Sequence, residues 1–154
     1  MPANRLVCEV MLHTGLRVGD VVGLRADQVA QRFTVREAKT RKSRRVSLPP
    51  VLVDRIKAQA RGSAWAFPSP RDPTKHRTRQ AVWKDIKRAQ KAFRLRINCG
   101  SHSMRKAYAV ELMARYGDLA KVRRALNHDN DWTTMLYAFA DRLPPPVSNK
   151  RDKS

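Results

Sequence analysis

Apolar side chains recur every three or four residues along most of this chain, a spacing typical of amphipathic helices. Only two short stretches, near Val35 and Val46, alternate apolar and polar residues as strands do. The pattern predicts a mainly α protein with one small antiparallel β-sheet, an α+β fold class. Predicted helices cover residues 4–13, 18–24, 50–61, 79–94, 101–116, 118–126 and 132–140, and predicted strands cover 33–36 and 46–48.

The length of 154 residues, 42% of them hydrophobic, suffices for one domain with a core. Three consecutive prolines begin at Pro144 and end the helical pattern. We therefore expect one folded domain over residues 1–143 and a disordered, basic, Pro-rich tail over residues 144–154.

Charge limits the partners of this chain. Its 33 Lys and Arg residues against 13 Asp and Glu give a net charge of +20, and the isoelectric point is about 11.3. Such an excess predicts a polyanionic partner. It does not separate DNA from RNA, because a ribosomal-type RNA binder has the same balance of charges. An aromatic content of 6% gives no special support for a surface on which bases stack.

Other classes of protein are disfavoured. No continuous apolar run approaches 18 residues and no signal-peptide pattern opens the chain, which predicts a soluble, intracellular protein without a membrane partner. The two cysteines, Cys8 and Cys99, are too few for a disulfide framework or a zinc site.

Tyr137 lies on the wrong side of its predicted helix for a packing residue. The apolar stripe of that helix consists of Trp132, Met135, Leu136 and Phe139. At about 100° per residue, Tyr137 lies roughly 150° from the middle of the stripe. Its phenol is therefore predicted to face the polar side of the helix.

A second group of polar side chains precedes that tyrosine. His102 and Arg105 stand at positions i and i+3 of one predicted helix, so they share a face, and Ser101 can cap that helix. His128 follows in a polar loop. Cations for an oxyanion, imidazoles for protons and a phenol for attack suit chemistry on a phosphodiester.

The remaining candidates are basic. Arg17 stands at the start of a short predicted helix, where the helix dipole does not favour a cation, and Asp20 could hold its guanidinium in place. The turn between the predicted strands and the polar side of the helix over residues 79–94 could neutralise phosphates, or could simply be solvated. The candidate DNA-binding residues there are Arg41, Lys42, Arg44, Arg45, Lys84, Lys87, Arg88 and Lys91.

Several of these motifs carry a family resemblance. In chain order they are Thr14-Gly15-Leu16-Arg17-Val18-Gly19-Asp20, Lys39, His102-x-x-Arg105, Leu126-Asn127-His128 and Tyr137. Each motif alone is common, but the ordered set resembles the catalytic domain of the tyrosine recombinases, the phage-integrase family, over roughly residues 7–139. The resemblance implies the tyrosine-recombinase catalytic-domain fold.

The resemblance also implies an activity, site-specific DNA recombination for integration or excision. Arg17 and Arg105 would bind the non-bridging oxygens of the scissile phosphate. Tyr137 would attack the phosphorus, leaving a 3′-phosphotyrosine and a free 5′-hydroxyl, and religation to a partner strand would follow.

The other implied roles are proton transfers and hydrogen bonds. Lys39 would protonate the departing 5′-oxygen, and its spacing from Arg17 is the reason to prefer it to Lys42. His102 would assist proton transfer at the tyrosine, and His128 would hydrogen-bond the phosphate. No metal, ATP or other cofactor is implied, since the cations supply the charge.

The chain departs from the family pattern at Asn127, where glycine is common. Asn enters the left-handed region more readily than other non-glycine residues, so the change is tolerable. Family members usually carry an N-terminal DNA-binding domain, and we expect none within these 154 residues.

Two other functions share parts of this pattern. A type IB topoisomerase-like nicking and closing enzyme would use the same chemistry without exchanging partners. A non-catalytic basic DNA-binding module would keep the phosphate contacts alone. For the recombinase we expect a double-stranded DNA partner, a monomer in solution, a tetramer on DNA by family resemblance, and a cytoplasmic, nucleoid-associated location in bacteria or as a phage product.

Overall fold

A computed structural model describes residues 2–96 and 98–126. The chain divides into two compact units, residues 1–108 and residues 109–154. The described elements are α1 (Pro2–Thr14), α2 (Val18–Val22), β1 (Arg32–Arg36), β2 (Ser43–Ser47), α3 (Pro50–Ala60), α4 (Arg79–Ala92), α5 (Ser101–Tyr116) and α6 (Leu119–Leu126). The predicted fold class, mainly α with a small antiparallel sheet, is confirmed.

Helix α1 is central to the first unit. It contacts α2, α3, α4 and β2, and it buries the stripe of Leu6, Val7, Val10 and Met11 that its sequence predicts. Gly15 ends the helix with a φ of +62°, a left-handed conformation that glycine adopts without steric cost. Arg17, two residues later, is thereby placed beside the core.

Strands β1 and β2 pair antiparallel, with Val35 opposite Arg44 and Phe33 opposite Val46. Along β2, Arg44 and Val46 are buried whereas the residues between and beside them are exposed. We predicted Arg44 in the turn between the two strands, as a residue that binds DNA or faces solvent. The structure places it in the strand, where the two-residue alternation turns its side chain inward together with Val46.

Helix α4 begins at a Thr78 cap, whose Oγ1 accepts a hydrogen bond of 3.2 Å from the amide of Ala81. The apolar residues of this helix, among them Val82, Ile86 and Phe93, recur at a spacing that predicts one buried face. Val82 and Ile86 are buried. Phe93 is 76% exposed, so the buried face does not continue to it.

Helix α5 begins at Ser101 itself, so Ser101 is not the predicted cap. The hydroxyl of Ser103 instead accepts a hydrogen bond of 3.0 Å from the amide of Gly100. The predicted helix over 132–140 and the tail over 144–154 lie outside the described residues.

In the second unit, α6 is capped by Asp118, whose Oδ1 accepts a hydrogen bond of 2.8 Å from the amide of Ala120. Val122 and Leu126 are the buried residues of that helix. No helix within residues 2–96 and 98–126 has the length and apolar content that crossing a bilayer demands.

Candidate active site

The site is built around Arg17, which precedes α2 in an extended conformation. Its Nη1 donates a hydrogen bond of 2.8 Å to Oε2 of Glu37, and 21% of the side chain remains exposed. We predicted Asp20 as the partner of this guanidinium. That prediction is wrong, because Asp20 accepts a hydrogen bond of 2.9 Å through Oδ1 from the backbone amide of Ala38.

Glu37 is the residue that sequence reasoning missed. Its side chain is wholly buried (0% exposed). Besides the hydrogen bond from Arg17, its Oε2 accepts one of 3.0 Å from the hydroxyl of Thr40. Nε of Arg44 lies 3.8 Å from Oε1. The two-residue alternation of β1 could have predicted its burial, because Glu37 lies two positions after the buried Val35, just beyond the end of the strand.

Two buried arginines bind the carbonyl groups at the end of α1. Arg105 donates from Nη1 to the carbonyl of Gly15 at 2.5 Å, and Arg44 donates from Nη2 to the carbonyl of Thr14. Helix C-termini leave such carbonyls without partners and carry partial negative charge, so cations are stabilised there. The end of α1 therefore holds both guanidinium groups in place.

Burial and neighbouring charge act together on Arg105, which is 2% exposed. Desolvation lowers its pKa to about 10, with Arg17 and Arg44 contributing in the same direction and Glu37 opposing them. Burial also lowers the pKa of Arg44. Arg105 is still protonated at neutral pH. The three arginines, Arg17, Arg44 and Arg105, therefore outnumber the two carboxylates, Glu37 and Asp20, and the cluster has a net positive charge.

A cleft of about 490 Å³ opens beside this cluster. We call it the cationic cleft; its polar lining residues are Arg17, Asp20, Lys39, Arg79, Ser101, His102 and Arg105. Four of the six predicted catalytic residues therefore meet at one surface. The other two, His128 and Tyr137, lie outside the described residues.

Lys39 is the lysine that reaches the cationic cleft. It is exposed in the turn between β1 and β2, and Lys42, at the far end of that turn, is not among the residues lining the cleft. Within the described part of the chain, the ammonium of Lys39 makes no ion pair. Of these two lysines, Lys39 alone lines the cleft.

Arg79 is a further lining residue that the sequence analysis did not single out. It is the first residue of α4, and a Cβ built on Gly19 would lie 3.4 Å from its Cδ. The stem of Arg79 therefore lies against the backbone of Gly19 in α2. No motif pointed to it, since its place depends on how α4 packs on α2.

A second cavity, of about 590 Å³, shares Ser101 and His102 with the cationic cleft. Trp83, Lys87 and Lys106 are among its lining residues, and Trp83 is an exposed aromatic. His102 is exposed between the two cavities.

The predicted DNA-binding residues differ in exposure. Those with exposed side chains are Arg41, Lys42, Arg45, Lys84, Arg88 and Lys91. Lys87 is half-buried and donates to Asn98 at 2.5 Å. Arg44 is 7% exposed and faces Glu37, so it supports the site from inside rather than from the surface.

Comparisons with known proteins place these features in context. The phage integrase family pattern matches residues 2–142. Tyrosine recombinase XerD of Rhizobium meliloti (strain 1021) is 31% identical over 153 residues, which cover 92% of this chain and 49% of that protein. XerD of Pseudomonas aeruginosa is 32% identical over 90% of this chain and 50% of its own length. The chain spans about half the length of the curated relatives it matches.

Solved structures resemble it at lower sequence identity. The lambda integrase catalytic core matches with a TM-score of 0.70 at 21% identity, covering 84% of this chain and 82% of that one. XerH site-specific recombinase, bound to palindromic difH substrate in a post-cleavage complex, matches with a TM-score of 0.71 at 22% identity, covering 90% of this chain and 42% of that one. The fold is that of tyrosine recombinase catalytic domains.

Proposed function

The chain belongs to the phage integrase family, and from that premise we propose that it is the catalytic part of a tyrosine recombinase that cuts and rejoins double-stranded DNA. The observation that carries this proposal is the cationic cleft, where Arg17, Lys39, His102 and Arg105 meet. A cleft with this excess of positive charge suits a phosphodiester.

Arg17 and Arg105 bind the two non-bridging oxygens of the scissile phosphate. Charge on these oxygens increases as the pentacoordinate transition state forms, and preorganised guanidinium groups stabilise it. Arg17 is held by Glu37 and Arg105 by the carbonyl of Gly15, so neither has to reorganise when DNA binds.

Tyr137 supplies the nucleophile. Its phenolic oxygen forms a bond to phosphorus while the bond from phosphorus to the 5′-oxygen breaks, and the phenolic proton leaves toward His102. Lys39 gives a proton to the departing 5′-oxygen. His128 hydrogen-bonds the phosphate. The resulting 3′-phosphotyrosyl bond is then attacked by the 5′-hydroxyl of a partner strand, which releases the enzyme without a cofactor.

Surface charge outside the cleft binds the DNA backbone. On the hairpin these residues are Arg41, Lys42 and Arg45, and on α4 they are Lys84, Lys87, Arg88 and Lys91. The second cavity, with Lys87 and Lys106, continues the positive surface past His102 and suits the neighbouring phosphates. Affinity should fall steeply with salt, because each neutralised phosphate releases counterions.

Assembly and location follow from the same proposal. The protein is a monomer in solution and a tetramer on DNA, and it acts in the bacterial cytoplasm on the nucleoid or on phage DNA. Light scattering with and without a duplex that carries the recombination site measures both states. A stable tetramer without DNA would contradict this assembly.

The test is covalent trapping. The protein is incubated with nicked duplexes carrying candidate sites and denatured in detergent, and protein attached to the 3′ end is measured beside the Tyr137→Phe variant. We expect an adduct with the unaltered protein and none with Tyr137→Phe, although both bind the duplex. An adduct that persists in Tyr137→Phe would contradict the assigned nucleophile.

Strand exchange separates the recombinase from the two other functions. A recombinase joins the cleaved strand to a second duplex, whereas a topoisomerase-like enzyme reseals the same strand. Salt-dependent binding without any adduct on any duplex would indicate either a binding module or a catalytic domain that needs a separate N-terminal DNA-binding domain. Adding such a domain decides between these two.

A further inference from the structure

The turn that carries Lys39 is closed by two backbone hydrogen bonds. The amide of Glu37 donates to the carbonyl of Lys42 at 3.0 Å, and the amide of Arg41 donates to the carbonyl of Glu37 at 2.9 Å. Arg41 has a φ of +60°, a left-handed conformation that is uncommon for a residue with a side chain. The backbone of the turn is therefore tightly defined at its base.

Side chains tie the top of the turn to the rest of the site. Oε2 of Glu37 accepts from the hydroxyl of Thr40 at 3.0 Å and from Nη1 of Arg17 at 2.8 Å. The same hydroxyl accepts from the amide of Lys42 at 3.4 Å. Thr40 directly follows Lys39. Oε2 of Glu37 is therefore bonded both to Arg17 and to the neighbour of Lys39.

We propose that Glu37 is a positioning residue, which acts through the hydroxyl of Thr40 to hold Lys39 at a fixed place relative to Arg17. This inference rests on the proposed function, in which Arg17 binds the scissile phosphate and Lys39 protonates the oxygen that leaves the same phosphorus. Both groups must meet one phosphate at once, and small misplacements of reacting groups cost large factors in rate.

The need for such a link follows from where Lys39 sits. Its side chain is long, exposed and without an ion pair among the described residues, so its own contacts do not orient it. Only the backbone of the turn can restrict where its ammonium group reaches. The hydrogen bond from Thr40 to the buried carboxylate of Glu37 restricts the backbone of the turn in this way.

The test uses Thr40→Val, which removes the hydroxyl but keeps the size and branching of the side chain and leaves the ion pair of Arg17 intact. Thr40→Ser keeps the hydroxyl and serves as the matched control. Single-turnover cleavage is measured on two nicked duplexes that differ only in the atom bridging phosphorus to the 5′ carbon, oxygen or sulfur. Sulfur leaves as a thiolate and needs no proton from Lys39.

We expect Thr40→Val to cleave the oxygen-bridged duplex at least about 10-fold more slowly than the unaltered protein. On the sulfur-bridged duplex its rate should be within about threefold, and Thr40→Ser should match the unaltered protein on both. Equal slowing on the two duplexes, or no slowing on either, would overturn the proposal, since a purely structural role does not distinguish the leaving groups.

A second measurement needs no DNA. Amide hydrogen exchange at Arg41, whose N–H is bonded inside the turn, should be about fivefold faster in Thr40→Val than in the unaltered protein or in Thr40→Ser. Unchanged exchange would overturn the link even if cleavage were impaired. Absence of any covalent adduct with the unaltered protein would count against the proposed function, while the exchange rates would still decide whether Thr40 holds the turn.

Discussion

Arg17, directly before α2, and Glu37, directly after β1, form an ion pair of 2.8 Å. The carboxylate is wholly buried, whereas 21% of the arginine side chain faces solvent at the cationic cleft. Buried charges without partners are costly, so each of these groups depends on the other. The pair joins the arginine that we propose to bind phosphate to the hairpin that carries Lys39.

Glu37→Gln should destabilise the fold by about 3 kcal/mol, because it leaves Arg17 and Arg44 without their shared carboxylate. Glu9→Gln is the matched control, since Glu9 pairs with Arg5 and Arg55 at the surface and should cost under about 1 kcal/mol. Urea unfolding followed by circular dichroism gives both values. Equal losses in the two variants would contradict the special role of the buried pair.

Arg44 and Arg45 are neighbours on β2, but we expect alanine substitutions there to affect different properties, stability at Arg44 and DNA binding at Arg45. Arg44→Ala should cost about 3 kcal/mol of stability, because Arg44 is buried against Glu37 and the carbonyl of Thr14. Arg45→Ala should leave stability nearly unchanged but reduce the slope of log affinity against log salt by about 1, as the loss of one phosphate contact does. Thermal melts and salt-dependent binding to a duplex distinguish them, and the reverse outcome would refute the assigned register.

Arg79→Ala should weaken binding of DNA that carries the recombination site, because Arg79 lines the cationic cleft beside Gly19. We expect weaker binding to duplexes of any sequence and a slope of log affinity against log salt that is smaller by about 1. Lys57→Ala removes an equal charge from the exposed side of α3, away from the cleft lining, and is the control. If the two variants bound equally well in fluorescence anisotropy, Arg79 would have no place in the site.

The fold was largely predictable because it follows from local patterns. The stripe in α1, the alternation in β1 and β2, and the start of α4 all depend on residues close in sequence. The structure groups Lys39 with Arg17, His102 and Arg105 in one cleft, and the roles that the resemblance implied for these residues stay predictions.

What the sequence did not reveal depends on contacts between distant segments. Arg17 pairs with Glu37, 20 positions away, rather than with Asp20, because the hairpin brings a buried carboxylate closer than the helix does. Arg44 appeared to be one more cation in a basic run, and only the pairing of β1 with β2 turns it inward. A count of charges cannot separate cations that bind DNA from cations that hold the site together.

The most direct test of the central claim asks whether Arg17 binds a non-bridging oxygen of the scissile phosphate. Single-turnover cleavage by Arg17→Ala is compared with that by the unaltered protein on nicked duplexes with an ordinary scissile phosphate and with each of the two stereoisomers of a neutral methylphosphonate there. On the ordinary phosphate we predict a loss of about 100-fold, typical of removing one oxyanion donor, and on the stereoisomer whose methyl group replaces the oxygen that Arg17 binds a loss of less than about threefold. A loss of the same size on all three duplexes would contradict the account, because the arginine would then act elsewhere than on that oxygen.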